Sequence, residues 1–380
     1  MHIMEICTKE LKRGCDPMTA SIINYYGGGN TARGFVNYYD SILQDVKDIY
    51  VIKNAPQVIK TSVIKSIAQA YLARAYEVEI INSYMGDEYV EGVIVPSCGV
   101  AFIDGNPIYG TKLESINKDR QYIDLSQVMD EELLRKRHKN IEALKNSIKE
   151  EIRKAHVAFG EALKLHDLWE KVYIDNMDFD RANDFARELI NRILGEKYLY
   201  KKSKVMDRFL GVATPEGPRD FIPSITRNVD KRYLIKGRPG TGKSTILGKL
   251  LSEAKDRGFD IEAYHCGFDP DSYDMIVIRE LNVAVFDSTK PHEYLAERHN
   301  DEIIDTYEEL VYPETDKKFK NTIESIREEY TKKIKEATGY LSQGKKYMLE
   351  LESLYLQSIN KEKLRNLEKG LGTLIEMFVK

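Results

Sequence analysis

The chain repeats itself over a long distance, and this constrains its fold more than any single motif. Shifted by 183 residues, as from Tyr50 to Tyr233, the segment IYVIKNAPQVIKTS at 49–62 falls on RYLIKGRPGTGKST at 232–245. Ile52, Lys53, Pro56 and Lys60 then coincide with Ile235, Lys236, Pro239 and Lys243. The register continues through YEVEII at 76–81 against FDIEAY at 259–264, and GVAFID at 99–104 against NVAVFD at 282–287. Upstream it sets Thr31 on Thr214 and Gly34 on Gly217; downstream, QYIDL near Ile123 resembles EIIDT near Ile304. Solenoid and propeller repeats recur every ~20–50 residues, so a period this long signals two copies of a whole domain.

The second copy carries the chemistry. Gly237, four intervening residues, Gly242, Lys243 and Ser244 form a phosphate-loop pattern between the apolar run Tyr233–Lys236, suited to a buried strand, and a helix-forming stretch from Ile246. Glycines let successive backbone N–H groups turn toward phosphate oxygens, and the following helix adds the positive end of its dipole. The expected nucleotide ligands are therefore Gly237, Arg238, Pro239, Gly240, Thr241, Gly242, Lys243, Ser244 and Thr245. Lys243 is expected to reach the β- and γ-phosphates and Ser244 to ligate Mg²⁺. Asp287, which ends the apolar run NVAVF, completes the metal shell in this reading. Glu280, just past the run YDMIVI, is the candidate for orienting an attacking water, with Arg279 beside it. In the first copy Asn54, Gln57 and Ile59 stand where the second has Gly237, Gly240 and Gly242, so that loop is read as degenerate although Lys60 and Thr61 remain. No Asn-Lys-x-Asp element follows Lys243, which favours ATP over GTP.

The expected fold is α/β: two tandem P-loop NTPase-like domains, each a three-layer αβα sandwich on a mostly parallel sheet and each followed by a helical hairpin. The divisions expected are a tail at 1–21, the degenerate domain at 22–126, a helical extension at 127–198, the intact domain at 199–314 and a second extension at 315–380. The extensions are rich in Glu, Lys, Arg and Leu, with Leu134, Ile141, Leu144, Ile148 and Ile152 at helical spacing. Trp169, the one tryptophan, is read as a packing anchor. A net charge of −4 argues against a dedicated nucleic-acid binder. No run approaches the ~18 apolar residues of a membrane span, and the opening residues lack a signal-peptide core, so a cytoplasmic protein is expected. Cys7, Cys15, Cys98 and Cys266 have neither CxxC spacing nor a local histidine set, which reads as reduced thiols.

The segments GGGNTARGF at 27–35, ATPEGPRDF at 213–221 and GRPGTGKST at 237–245, the last followed by YHCGFDPDS, make the chain resemble a bacterial ATPase family with tandem P-loop domains. That resemblance covers most of residues 22–310 and implies ATP binding without naming a substrate. The first loop departs from the family's pattern at Asn54, Gln57 and Ile59. The leading expectation is a Mg²⁺-dependent ATPase working as an internal pseudo-dimer with a protein partner. The alternatives are a small-molecule or nucleotide kinase acting on an unknown acceptor, and a nucleotide-gated binding module with negligible turnover.

Overall fold

The computed structural model describes residues 21–105 and 119–378. Most of the expected tail, with Cys7 and Cys15, lies outside them. The first repeat runs β1 (Ile22–Tyr26), β2 (Gly28–Thr31), β3 (Gly34–Asn37), β4 (Asp48–Lys53), α1 (Gln57–Leu72), β5 (Val78–Asn82), β6 (Val90–Val95), β7 (Val100–Asp104) and β8 (Arg120–Asp124). Helices α2 (Glu131–Ile174) and α3 (Phe179–Leu194) follow. The second repeat runs β9 (Val205–Phe209), β10 (Gly211–Thr214), β11 (Gly217–Asp220), β12 (Lys231–Lys236), α4 (Lys243–Asp256), β13 (Ile261–His265), β14 (Tyr273–Ile278), β15 (Val283–Asp287) and β16 (Asp301–Asp305). It ends in α5 (Lys320–Leu356) and α6 (Lys361–Phe378). Each of the first seven strands recurs after the same offset that relates Tyr50 to Tyr233.

The described residues separate into two units that do not follow chain order. The first takes residues up to 27, 43–151 and those from 342 onward; the second takes 28–42 and 152–341. The first unit has the strand order β1-β5-β6-β7-β4-β8 and the second β9-β13-β14-β15-β12-β16, the same topology twice. In both, the third strand is antiparallel to its neighbours and the other pairings are parallel, giving a mixed, mostly parallel sheet. The hairpin β2-β3 belongs to the second unit, where it extends β10-β11 into a four-stranded antiparallel sheet.

The strands are apolar runs rather than alternations because both faces are covered: Tyr233, Leu234 and Ile235 on β12, and Val283 through Phe286 on β15, are all buried. In the second unit α4 lays Ile246, Leu247, Leu250 and Ala254 on this sheet. Helix α3 packs Ala186, Leu189, Ile190 and Leu194 into the same core, opening on an N-cap in which Asp178 accepts from the Arg181 amide at 2.9 Å. In the first unit α1 supplies Val63, Ile64 and Ile67, and Leu364 and Leu367 of α6 pack against that cluster. The expected helical extensions are thus present, but each supplies a helix to the core built on the other repeat's strands. Among the described residues no helix is long and apolar enough to cross a membrane.

Candidate functional site

In the second unit β12 lies between β15 and β16, parallel to both, with Ile235 opposite Asp287 and Lys236 opposite Asp305. The loop that leaves β12 therefore starts beside Asp287, at the carboxyl ends of parallel strands, where open α/β sheets bind ligands. Gly240 (φ 74°) and Gly242 (φ 83°) take left-handed conformations that side chains resist. At Gly237 the constraint is space, because a Cβ would collide with the hydroxyls of Thr241 and Thr306. Those hydroxyls brace the loop: they lie 2.7 Å apart, while Thr306 Oγ1 donates to the Lys236 carbonyl at 2.9 Å.

Helix α4 begins at Lys243, directly after Gly242. The Lys243 ammonium is buried, donates to the Arg238 carbonyl at 2.8 Å and stands 3.6 Å from Asp287 Oδ2. The other Asp287 oxygen accepts from the Thr289 amide (2.9 Å) and hydroxyl (2.6 Å), which fixes the carboxylate. Ser244 Oγ is held by the Tyr273 amide at 2.9 Å. The remaining expected ligands differ in role. Arg238 turns outward onto Asp316 at 3.1 Å and lies 4.9 Å over the Tyr307 ring; Thr241 is tied to Thr306; Thr245 is exposed.

Arg279 and Glu280 are not brought to the loop, which corrects their expected catalytic placement. β14 runs antiparallel to β15 with Ile278 opposite Val283, so residues 279–280 emerge at the far end of the sheet from Asp287, about 13 Å away at ~3.3 Å per residue. There Arg279 forms a two-pronged pair with Glu262 (2.8 and 3.0 Å), while Glu280 pairs with Lys201 at 2.7 Å and accepts from the Asp260 amide at 2.9 Å. Both are structural contacts.

The same antiparallel turn brings Asp274, at the start of β14, to the loop side. Asp274 is buried, and burial pushes its carboxyl up to about 6; the Asp287 charge adds to the rise, against His292, the Cys266 thiol and Lys243. His292 Nε2 lies 3.9 Å from Asp274 and its Nδ1 3.0 Å from Asp220, which also accepts from the Tyr294 hydroxyl at 2.6 Å. Burial works against the His292 imidazolium, but the Asp220 bond and the surrounding carboxylates carry its pKa upward overall. Nothing in the motif pattern points to Asp220 or His292, since they reach the site from separate loops. Asp274 did leave a trace, as an acidic residue inside an otherwise apolar run. His265 belongs to the framework, between the Pro270 carbonyl (2.7 Å) and Asp207 (3.0 Å) and stacked on Tyr38.

The first unit shows the same position without the loop. Asn54, the counterpart of Gly237, has a positive φ of 63°, and α1 starts at Gln57, so the residues matching the glycine loop are taken into the helix. Lys60 is buried and its ammonium sits 2.5 Å from Asp104, the counterpart of Asp287. The amides of Gln57 and Val58 donate to the Glu352 carboxylate at 2.8 and 3.1 Å. The first amides of α1 are thus taken by the chain's own carboxylate.

Compared with protein-family models, with curated protein sequences and with solved structures, the chain matches none.

Proposed function

We propose that the second unit binds ATP with Mg²⁺ and hydrolyses it, and that the first unit is a structural copy that binds no nucleotide. One observation carries this reading: the left-handed glycines 240 and 242, Lys243, Ser244 and Asp287 converge where a single loop leaves β12. The donor set suits the group. The loop and the first turn of α4 offer backbone N–H groups to phosphate oxygens, and Lys243 adds a buried cation that leaves the Arg238 carbonyl for a stronger acceptor. A hydroxyl and a carboxylate, Ser244 and Asp287, are hard oxygen ligands of the kind Mg²⁺ prefers. Mg²⁺ held by these two residues would supply neutralisation of phosphate charge.

The proton of an attacking water goes to Asp274 in this proposal. Its carboxyl, near 6, is ionised at neutral pH and basic enough to accept, and His292 with Asp220 holds the charge in place. The polar loop after β13, which invites a kinase reading, is occupied by framework contacts: Asp269 and Asp271 both pair with Arg33 at 2.8 Å. Hydrolysis is therefore preferred to transfer.

The test is ATP binding and phosphate release with Mg²⁺, run beside Lys243→Ala and Lys60→Met. Binding that survives Lys60→Met and is lost in Lys243→Ala is the expected result. Absence of ATP binding by the intact protein would overturn the reading, and label appearing on a metabolite would replace hydrolysis by a kinase.

A further inference from the structure

Helix α2 carries His166, Asp167 and Glu170 near its end, and one nitrogen or carboxylate oxygen from each lies within 4.8 Å of those of the other two. Residues four apart share a helix face, which sets Glu170 beside His166; Asp167 joins them from the exposed side. None of the three has a place in the nucleotide site. The same turn packs on the phosphate loop, since a Cβ on Gly240 would stand 2.5 Å from the Glu170 carbonyl oxygen.

The spacing is that of two ligands of one ion rather than of hydrogen-bonded partners. His166 Nδ1 stands 3.7 Å from Glu170 Oε1, beyond hydrogen-bond reach. Two bonds of ~2.1 Å meeting at a tetrahedral angle hold their donor atoms about 3.4 Å apart, so an ion fits between them with a small side-chain shift. The imidazole is also fixed in place. It meets the rings of Trp169, Phe268 and Tyr330 at centroid distances of 6.5, 5.8 and 5.8 Å. Aromatic contacts thus hold the ring, while neither of its nitrogens has a hydrogen-bond partner among the described residues. Coordination gives such a nitrogen the partner that packing does not.

We propose that His166, Asp167 and Glu170 bind a divalent first-row transition-metal ion of the Zn²⁺ class, separate from the Mg²⁺ of the nucleotide. One imidazole with two carboxylates suits Zn²⁺, Co²⁺ or Ni²⁺, whereas Mg²⁺ takes oxygen ligands in octahedral geometry. Three protein ligands leave a coordination position for water on the exposed Asp167 side. The bound ion ties together the helix turn that packs on Gly240 and stiffens that support whether or not nucleotide is present. The inference does not rest on the ATP-binding reading.

Trp169, the one tryptophan, stands between two of the ligands in sequence and 6.5 Å from the His166 ring, so its fluorescence reads the site directly. The full chain is titrated with Co²⁺ and with Ni²⁺, both quenchers of a nearby indole, in the absence of nucleotide. Asp167→Asn, Glu170→Gln and His166→Phe are compared with the parent and with Lys171→Gln as a surface control. Asp167 is exposed, so its variant leaves the packing intact. The expected result is saturable quenching that Zn²⁺ reverses by competition and excess Mg²⁺ does not. Each ligand variant should bind roughly tenfold more weakly or worse, because a lost ligand costs no less than a lost outer-shell partner, about 10–100-fold. Zn²⁺ should raise the melting temperature of the parent and of Lys171→Gln, and that of Asp167→Asn much less, since an ion held only by the folded state opposes unfolding. Quenching that never saturates, or that Asp167→Asn and Glu170→Gln leave unchanged, would overturn the site.

Discussion

Lys60→Met, with and without Asp104→Asn, probes what the first unit is for. Lys60 and Asp104 face each other at 2.5 Å with side chains 2% and 0% exposed, so neither charge has water to fall back on. Methionine matches the length of the lysine stem but leaves the carboxylate without its cation, and removing one partner of such a pair costs about 3–5 kcal/mol. With a urea dependence of roughly 2–3 kcal/mol per molar, the unfolding midpoint of this unit drops by about 1–2.5 M. Asp104→Asn in the same chain removes the orphaned charge, and most of the loss returns. Trp169, the one tryptophan, belongs to the second unit, so its fluorescence reports the wrong half and circular dichroism is the assay. ATP binding by the folded single variant is expected to equal that of the parent. A single variant as stable as the parent, or a double variant no better than the single, would refute the view that this lysine has become a structural group.

Two further substitutions test the second unit. Asp274→Asn is expected to lower phosphate release by about 10²–10⁴-fold with little change in ATP affinity, whereas Glu280→Gln leaves turnover untouched; equal effects of the two would remove Asp274 as the proton acceptor. In the parent, turnover should fall as pH drops through about 6, where Asp274 protonates. Asp301 is buried against Arg232 at 2.5 and 2.7 Å; burial opposes its charge, but the Arg232 bonds and the amides of Arg298 and Glu297 outweigh it and pull its pKa to about 2. A depressed carboxylate stabilises the fold fully above its ordinary value near 3.8 and loses that contribution as pH falls toward 2. Asp301→Asn should therefore lower stability at pH 7 and flatten the acid limb of the stability curve; a variant with the parent's acid limb would count against it.

The repeat offset was legible to the residue, because a duplicated domain preserves strand spacing even where side chains diverge. The loop, Lys243, Ser244 and Asp287 were legible for a different reason: phosphate geometry dictates glycines and a lysine at fixed spacing, and an aspartate must end the neighbouring strand. The direction of β14 was also written in the sequence, though less visibly. Only seven residues separate His265 from Tyr273 and four separate Ile278 from Val283, too few for a parallel crossover, which needs ~10 or more. Those lengths put Asp274, not Glu280, at the Asp287 end of the sheet. The partners of α2 and α3 had no such signature. An amphipathic face states that it must be buried and is silent about which of two related cores will cover it, so the close approach of the Glu170 backbone on α2 to Gly240 required the folded chain.

That exchange of helices bears on whether the intact repeat can work alone. Residues 199–380 contain every expected nucleotide ligand, yet the second unit's core is completed by Met177, Leu189, Ile190 and Leu194, which precede them in the chain. Each large side chain of this kind contributes about 1.5–3 kcal/mol on burial, so losing four removes roughly 6–12 kcal/mol, comparable to the whole 5–15 kcal/mol stability of a domain. Their absence also removes part of the cluster that buries Ile246, Leu250 and Phe259. A chain of residues 199–380 should therefore run expanded on size exclusion, melt without a cooperative transition and fail to bind ATP, although its loop sequence is unchanged. A cooperative transition near that of the full protein would show that α3 is dispensable. If the expected result holds, the first repeat cannot be discarded when its own loop is lost, because the helix that follows it closes the core beneath the glycine loop of the second.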